Sequence, residues 1–148
     1  MKKLKRRLDL EETLLEFLFK WQRPIRIGDM RKELEKLGTK IAHSSLNSMI
    51  ERLEAEGLVV WEKYGTVEIT KAGENKIAHK MRHLHLLTMF LMKTLDISHD
   101  AAREESINLS RAISCRLIEK ISHFLNNPKR CWCNEQIPFI DECQVKST

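Results

Sequence analysis

Punctuation is scarce in this chain: five Gly and three Pro serve 148 residues, and aromatics reach only 6%. With long amphipathic runs beside it, that scarcity argues for a mainly helical protein. Long apolar runs are absent as well. None approaches the roughly 20 residues of a membrane-spanning helix. The basic opening meets Asp9, Glu11 and Glu12 at once, so a secretory signal is not expected either. Cysteine does not occur before residue 115. In the cytoplasmic setting that follows by default, the four thiols are expected reduced, as ligands or inert groups rather than disulfides. No nucleophile–base constellation and no phosphate-cradling Gly loop is visible, so catalysis is not expected. Internal repeats and low-complexity segments are missing too.

What remains is enough for one ordinary domain or two small ones. A hydrophobic content of 42% supplies a packed core, and 32% charge keeps the chain in solution. The net charge of +5 suits nucleic acid without proving it, because the excess is spread over both halves. Its densest run is Lys2, Lys3, Lys5, Arg6 and Arg7, which reads equally as a solvated terminus or as a phosphate-touching arm.

The most informative stretch is Ser44 to Gly73, SSLNSMIERLEAEGLVVWEKYGTVEITKAG. It reads as a helix, a Gly, two short strands around a turn and a Gly-led exit. Upstream, Leu10, Leu14, Leu15, Phe17 and Leu18 recur at helical spacing up to Arg23-Pro24. Asp29 to Leu37 forms a second helix stopped by Gly38. Ala42 to Glu56 forms a third, with Leu46, Met49, Ile50 and Leu53 as its buried stripe. That leaves Ser44, Ser45, Asn47, Ser48 and Arg52 on or near the outer face. Leu58 to Lys63 and Thr66 to Thr70 are strands joined at Tyr64-Gly65. Three helices and a two-stranded wing make a winged helix-turn-helix, whose dominant use is to place a helix in the major groove.

A long helix follows from about Glu74 to Lys93, apolar nearly all round at its end, which implies a second subunit against one face. Ser98 or Asp100 caps a short helix, and Ser110 opens another with Ile113, Leu117, Ile121 and Phe124 on one stripe. Pro128 ends it before a tail that carries Cys131, Cys133 and Cys143. The expected layout is a winged helix-turn-helix DNA-binding domain over residues 1–73 and a helical dimerisation and sensing domain over residues 74–148.

Several segments resemble the diphtheria toxin repressor-like family of iron- and manganese-dependent regulators. They are SS-x-x-x-M-x-x-x-L, EGLVVWEK, ITKAG, RHLHLL-x-x-FL, HDAAREESINLS and the tail NNPKRCWCNEQIPFI, which looks like the family's Cys-Pro-His-Gly-x-Pro-Ile-Pro segment. They run in the family's order from about Leu10 to Ile140, without room for the extra SH3-like domain of some members. The resemblance implies a dimeric operator-binding protein with a divalent metal as corepressor. It carries DNA contact onto Arg26, Ala42, Ser44, Ser45 and Ser48. Hydroxyls at a helix N-terminus can bond phosphates and base edges, and small side chains allow close approach. Helix capping is the plainer reading of the same serines. Lys40, Asn47, Arg52 and the wing-tip Lys63 and Tyr64 complete the candidate surface. Glu51, Glu54 and Glu56 make the far end of that helix acidic.

The family's metal ligands are largely missing. Its N-terminal pair falls near Glu12 and Leu15, and the latter cannot bind metal. Its Glu-His pair falls at Ser106 and Ile107, or at Glu105 and Ser106, and the position three residues earlier is Arg103, a cation where a cation should bind. Only one histidine is kept, at His83 or His85. Two substitutes are available. His79, His83, His85, His99, Glu104 and Glu105 form a possible His/Glu divalent site. Cys115, Cys131, Cys133 and Cys143 could instead hold an iron–sulfur cluster or thiolate-bound Fe²⁺ or Zn²⁺. The leading expectation is a homodimeric repressor of metal-homeostasis genes controlled by that metal or cluster. A cofactor-independent regulator and a winged-helix protein-interaction module stand behind it.

Overall fold

The computed structural model describes residues 2–63 and 65–140, with side chains from residue 9 onward. The chain is mainly helical and divides into two compact units at Ile77–Ala78.

In the N-terminal unit, α1 runs over Lys2–Trp21, β1 over Ile25–Arg26, α2 over Ile27–Lys36 and α3 over His43–Ala55. Then come β2, Val59–Trp61, and β3, Thr66–Ile69; the first turns of α4, Lys71–Leu95, close the unit. The helical spacing of Leu46, Met49, Ile50 and Leu53 puts all four on one buried face of α3, which packs on α2 and β2. Burial of such side chains is worth about 1.5–3 kcal/mol each. Leu14, Leu15 and Leu18 of α1 and Met30 and Leu34 of α2 are buried with them in this unit. Gly38 (φ +88°) and Gly57 (φ +74°) end α2 and α3 in the left-handed region that glycine adopts without penalty.

The sheet is antiparallel with order β1-β3-β2, pairing Ile25 with Val67 and Val59 with Ile69. Strand β1 was not expected from the sequence, because two residues show no alternation to read. The strand expected to reach Lys63 stops at Trp61, where the chain turns with Gly65 N donating to Glu62 O at 2.6 Å. Tyr64 lies outside the described residues. Gly73 is not an exit but sits within α4, where a Cβ would collide with the Leu58 carbonyl oxygen.

In the C-terminal unit, the rest of α4 is followed by α5, His99–Leu109, and α6, Cys115–Phe124. Leu86, Leu87 and Met89 of α4 pack with Ile118, Ile121 and Leu125 and with Cys131 and Ile137 of the tail. Part of the apolar end of α4 is therefore covered by its own chain. Ser98 does cap α5, but Ser110 ends that helix and Ser114 opens the next. The buried face of α6 is Ile118, Ile121 and Ser122, one position round from the expected stripe, which leaves Leu117 and Phe124 about half exposed (51% and 53%). The helix stops before Pro128, at Asn126 and Asn127, whose φ values of 63° and 51° break the helical path.

Candidate functional site

The N-terminal unit presents its candidate residues around the start of α3. Its N-cap is Ala42, and no side chain caps it. Ser44 and Ser45 are exposed beyond the cap position, and Ser48 Oγ donates to Ser44 O at 3.0 Å. Capping therefore does not account for Ser44 and Ser45. The first backbone N–H groups of a 13-residue helix stay open to an anion. Arg26, the uncapped start of α2, is exposed, as are Lys40 and Lys63. Two candidates turn inward instead. Arg52 Nε donates to Glu11 Oε1 at 2.7 Å, and Asn47 is half-buried with an Oδ1 that has no hydrogen-bond partner. Glu54 is tied to the hairpin through Trp61 N (3.2 Å).

The histidines and cysteines of the C-terminal unit are grouped differently from either set expected from the sequence. One turn of α4 separates His79 from His83, and their rings lie 4.2 Å apart. The first residue of α6, Cys115, completes the group, with Sγ 2.8 Å from His79 Nε2. All three donor atoms lie within 4.8 Å of one another. His83 is buried, and its pKa is lowered to about 4, first by desolvation, then by the charges of His79 and Arg82, against a hydrogen bond to the Ser110 backbone. The imidazole is thus neutral at pH 7, the form a metal takes. Two imidazoles and a thiol suit a borderline-soft divalent ion and leave a fourth position open.

The second group is His85 with Cys131 and Cys133, again within 4.8 Å. His85 and Cys131 are buried, while Cys133 is exposed. A tight loop builds it: Asn134 N donates to Cys131 O (2.9 Å) and Cys131 N to Glu135 O (2.9 Å), with Asn134 at φ 68°. The turn brings the two sulfurs together, and they form a disulfide, contrary to the expectation of reduced thiols. Cys115 does not join them, and Cys143 lies outside the described residues. His99, Glu104 and Glu105 enter neither group; His99 lies 3.6 Å from Asp100.

Two contributors were not singled out from the sequence. Arg82 is buried, with its guanidinium reaching both oxygens of Glu119 (3.1 and 3.3 Å) and the Pro138 carbonyl (3.4 Å), which ties α4 to α6 and the tail. Glu135 places a carboxylate 3.3 Å from His85 Nε2. Contacts across 37 to 56 residues leave no local pattern to find.

The inherited ligand positions stay unsuited to metal. Arg103 is exposed, Ser106 Oγ is spent on Ala102 O (2.7 Å), and Leu15 is buried. Residues 70–139 match the iron dependent repressor, metal binding and dimerisation domain. These residues are similar to that family, over a little less than half of the chain. It is a family of transcriptional repressors, not of enzymes. An uncharacterised helix-turn-helix-type transcriptional regulator of Methanocaldococcus jannaschii is 25% identical over 121 residues, covering 82% of this chain and 93% of that protein. A hypothetical protein of Sulfolobus solfataricus has a similar structure (TM-score 0.69, 25% identity), covering 88% of this chain and 98% of its own. The manganese regulator SloR is also similar (TM-score 0.68, 26% identity) over 87% of this chain, but the chain spans only 59% of that structure. Among the described residues, no helix is long and apolar enough to cross a membrane.

Proposed function

We propose that this chain is a homodimeric, operator-binding repressor whose DNA affinity depends on a divalent metal held by His79, His83 and Cys115. The N-terminal unit serves as a winged helix-turn-helix with α3 as the reading helix and β2–β3 as the wing. The uncapped start of α3, with Ser44 and Ser45 exposed, supports contact with phosphates and base edges. Arg26, Lys40, Ala42, Ser48 and Lys63 extend that surface. Arg52, paired with Glu11, positions the helix and does not read bases. The exposed Leu117 and Phe124 of α6 support a contact between two copies of the helical half.

The observation that carries the reading is the convergence of two imidazoles and a thiol from two helices, with His79 and Cys115 36 residues apart in sequence. Metal bound there would join α4 to α6 and favour one arrangement of the dimer, setting the spacing of two reading helices for successive major grooves. A four-cysteine iron–sulfur cluster draws less support, because Cys115 falls apart from Cys131 and Cys133.

The test is fluorescence anisotropy on an operator selected from a random duplex pool, with Mn²⁺, Fe²⁺ or Zn²⁺ and with chelator. Metal should tighten binding at least tenfold with a steep salt dependence, and Cys115→Ser and His83→Ala should remove the metal response. Equal affinity with and without chelator would leave a cofactor-independent regulator. No duplex binding at all would leave a protein-interaction module.

A further inference from the structure

We propose that His85, Cys131, Cys133 and Glu135 form a second, redox-gated site for a thiophilic divalent cation of the zinc type. It is separate from the His79–His83–Cys115 group and does not depend on operator binding. Three donors stand together, one imidazole and two sulfurs, and Glu135 beside His85 offers a carboxylate as the fourth that a tetrahedral ion requires. His85 Nε2 and Glu135 Oε2 already stand 3.3 Å apart, and the imidazole and both sulfurs lie within 4.8 Å of one another. Ligands on one tetrahedral zinc are separated by about 3.3–3.8 Å, the spacing His85 and Glu135 already have, and the loop of Cys131 and Cys133 would close the shell once the sulfurs are reduced.

The surroundings fit an ion better than a plain disulfide. His85 is a buried polar side chain in a helix whose neighbours Leu86, Leu87 and Met89 are core. Cys133 is exposed and gives an entry path from solvent. Two thiolates and Glu135 around a dication leave one net negative charge. Arg103 lines the same small cleft as His85, His99 and Cys131 and offsets that charge. An arginine hostile to an oxygen-ligated cation is favourable beside a thiolate-rich one.

Gating follows from the same sulfurs. The ion needs both as thiolates, and the disulfide occupies both. A small-molecule disulfide would accept two electrons from the thiol pair. The Cys131–Cys133 bond forms, the oxidant's S–S bond breaks, and its halves leave as two thiolates, which take their protons from the free thiols or, where the pair held the ion, from water. Oxidation would thus release the ion, and reduction would restore the site.

Anaerobic Co²⁺ titration of the full chain, followed by thiolate-to-cobalt charge-transfer absorbance, tests the proposal. The reduced chain should take up two equivalents. Chain oxidised with a small-molecule disulfide should take up one, as should Cys131→Ser/Cys133→Ser. Glu135→Gln should keep the second equivalent with at least tenfold weaker affinity. His79→Ala/His83→Ala should leave this site's equivalent and its absorbance in place, so the two sites fail independently. If the cysteine variant does not fold by circular dichroism, the oxidised wild type decides alone. Equal uptake by reduced and oxidised chain, or equal uptake by reduced His79→Ala/His83→Ala and reduced Cys131→Ser/Cys133→Ser, with the same absorbance, would overturn the proposal.

Discussion

In the C-terminal unit, Ser98 and Ser114 cap the helices that follow them, accepting from Ala101 N at 3.3 Å and Leu117 N at 3.2 Å; in the N-terminal unit, α2 and α3 start at Arg26 and Ala42 with no side-chain cap. The same residue type is used in opposite ways. A cap is worth about 1 kcal/mol, and α3 forgoes it although Ser44 and Ser45 lie just beyond its first residue. Its backbone donors and the positive end of its dipole stay available to a ligand. The C-terminal unit closes its helix ends and keeps its chemistry inside, at His83, His85 and Cys131. One unit exposes helix termini and the other buries the side chains that could hold a metal.

The largest break in that contrast should come from Arg82. Arg82→Ala would leave Glu119 without the guanidinium that now meets both its oxygens. Arg82 is buried and Glu119 partly exposed (23%), so the loss should cost about 2–3 kcal/mol, below that of a fully buried pair. Native-state hydrogen exchange should show protection lost in α6 and the tail while α3 keeps its own. Equal loss in α3 would mean that the two units unfold as one.

Acid should act on the same unit with smaller effect. The folded pKa of His83, about 4, lies below the ordinary 6.5, so the unfolded chain takes up this proton first. Stability from this group is complete above pH 6.5 and is lost as pH falls toward 4. Urea denaturation of metal-free chain from pH 7 to 4 should show that decline, and His83→Gln should flatten it. A variant that follows the wild-type curve would contradict the assignment.

The units also differ in how far their sequences could be read. In the N-terminal unit, the 3.6-residue period of Leu46, Met49, Ile50 and Leu53, the stop at Gly57 and the β-rich VVW and TVEI all act over a few residues. Only β1, too short to show alternation, escaped notice. In the C-terminal unit, the elements were legible but their facing was not. Both Leu117 and Ile118 could belong to an apolar stripe, and tertiary packing chose Ile118. The chemical residues were visible and their partners were not, since His79 meets Cys115 across 36 positions. Composition names the ligands, while packing sorts them into sites.

The smallest stability effects sharpen the contrast most. Ser114→Ala removes an acceptor bonded to Leu117 N and should cost about 1 kcal/mol of stability. Ser45→Ala removes no cap, and as an exposed change away from any such feature it should stay within about 0.5 kcal/mol. If α3 reads DNA as proposed, the order should reverse on operator DNA: Ser45→Ala should weaken binding severalfold through the loss of a hydroxyl at the helix start, while Ser114→Ala should leave affinity of the folded, metal-loaded chain unchanged. Parallel denaturation and anisotropy on the two variants give four numbers, and only a crossed pattern agrees with the division of labour. If Ser45→Ala destabilises as much as Ser114→Ala, the α3 serines serve the fold, and the open helix start loses its meaning.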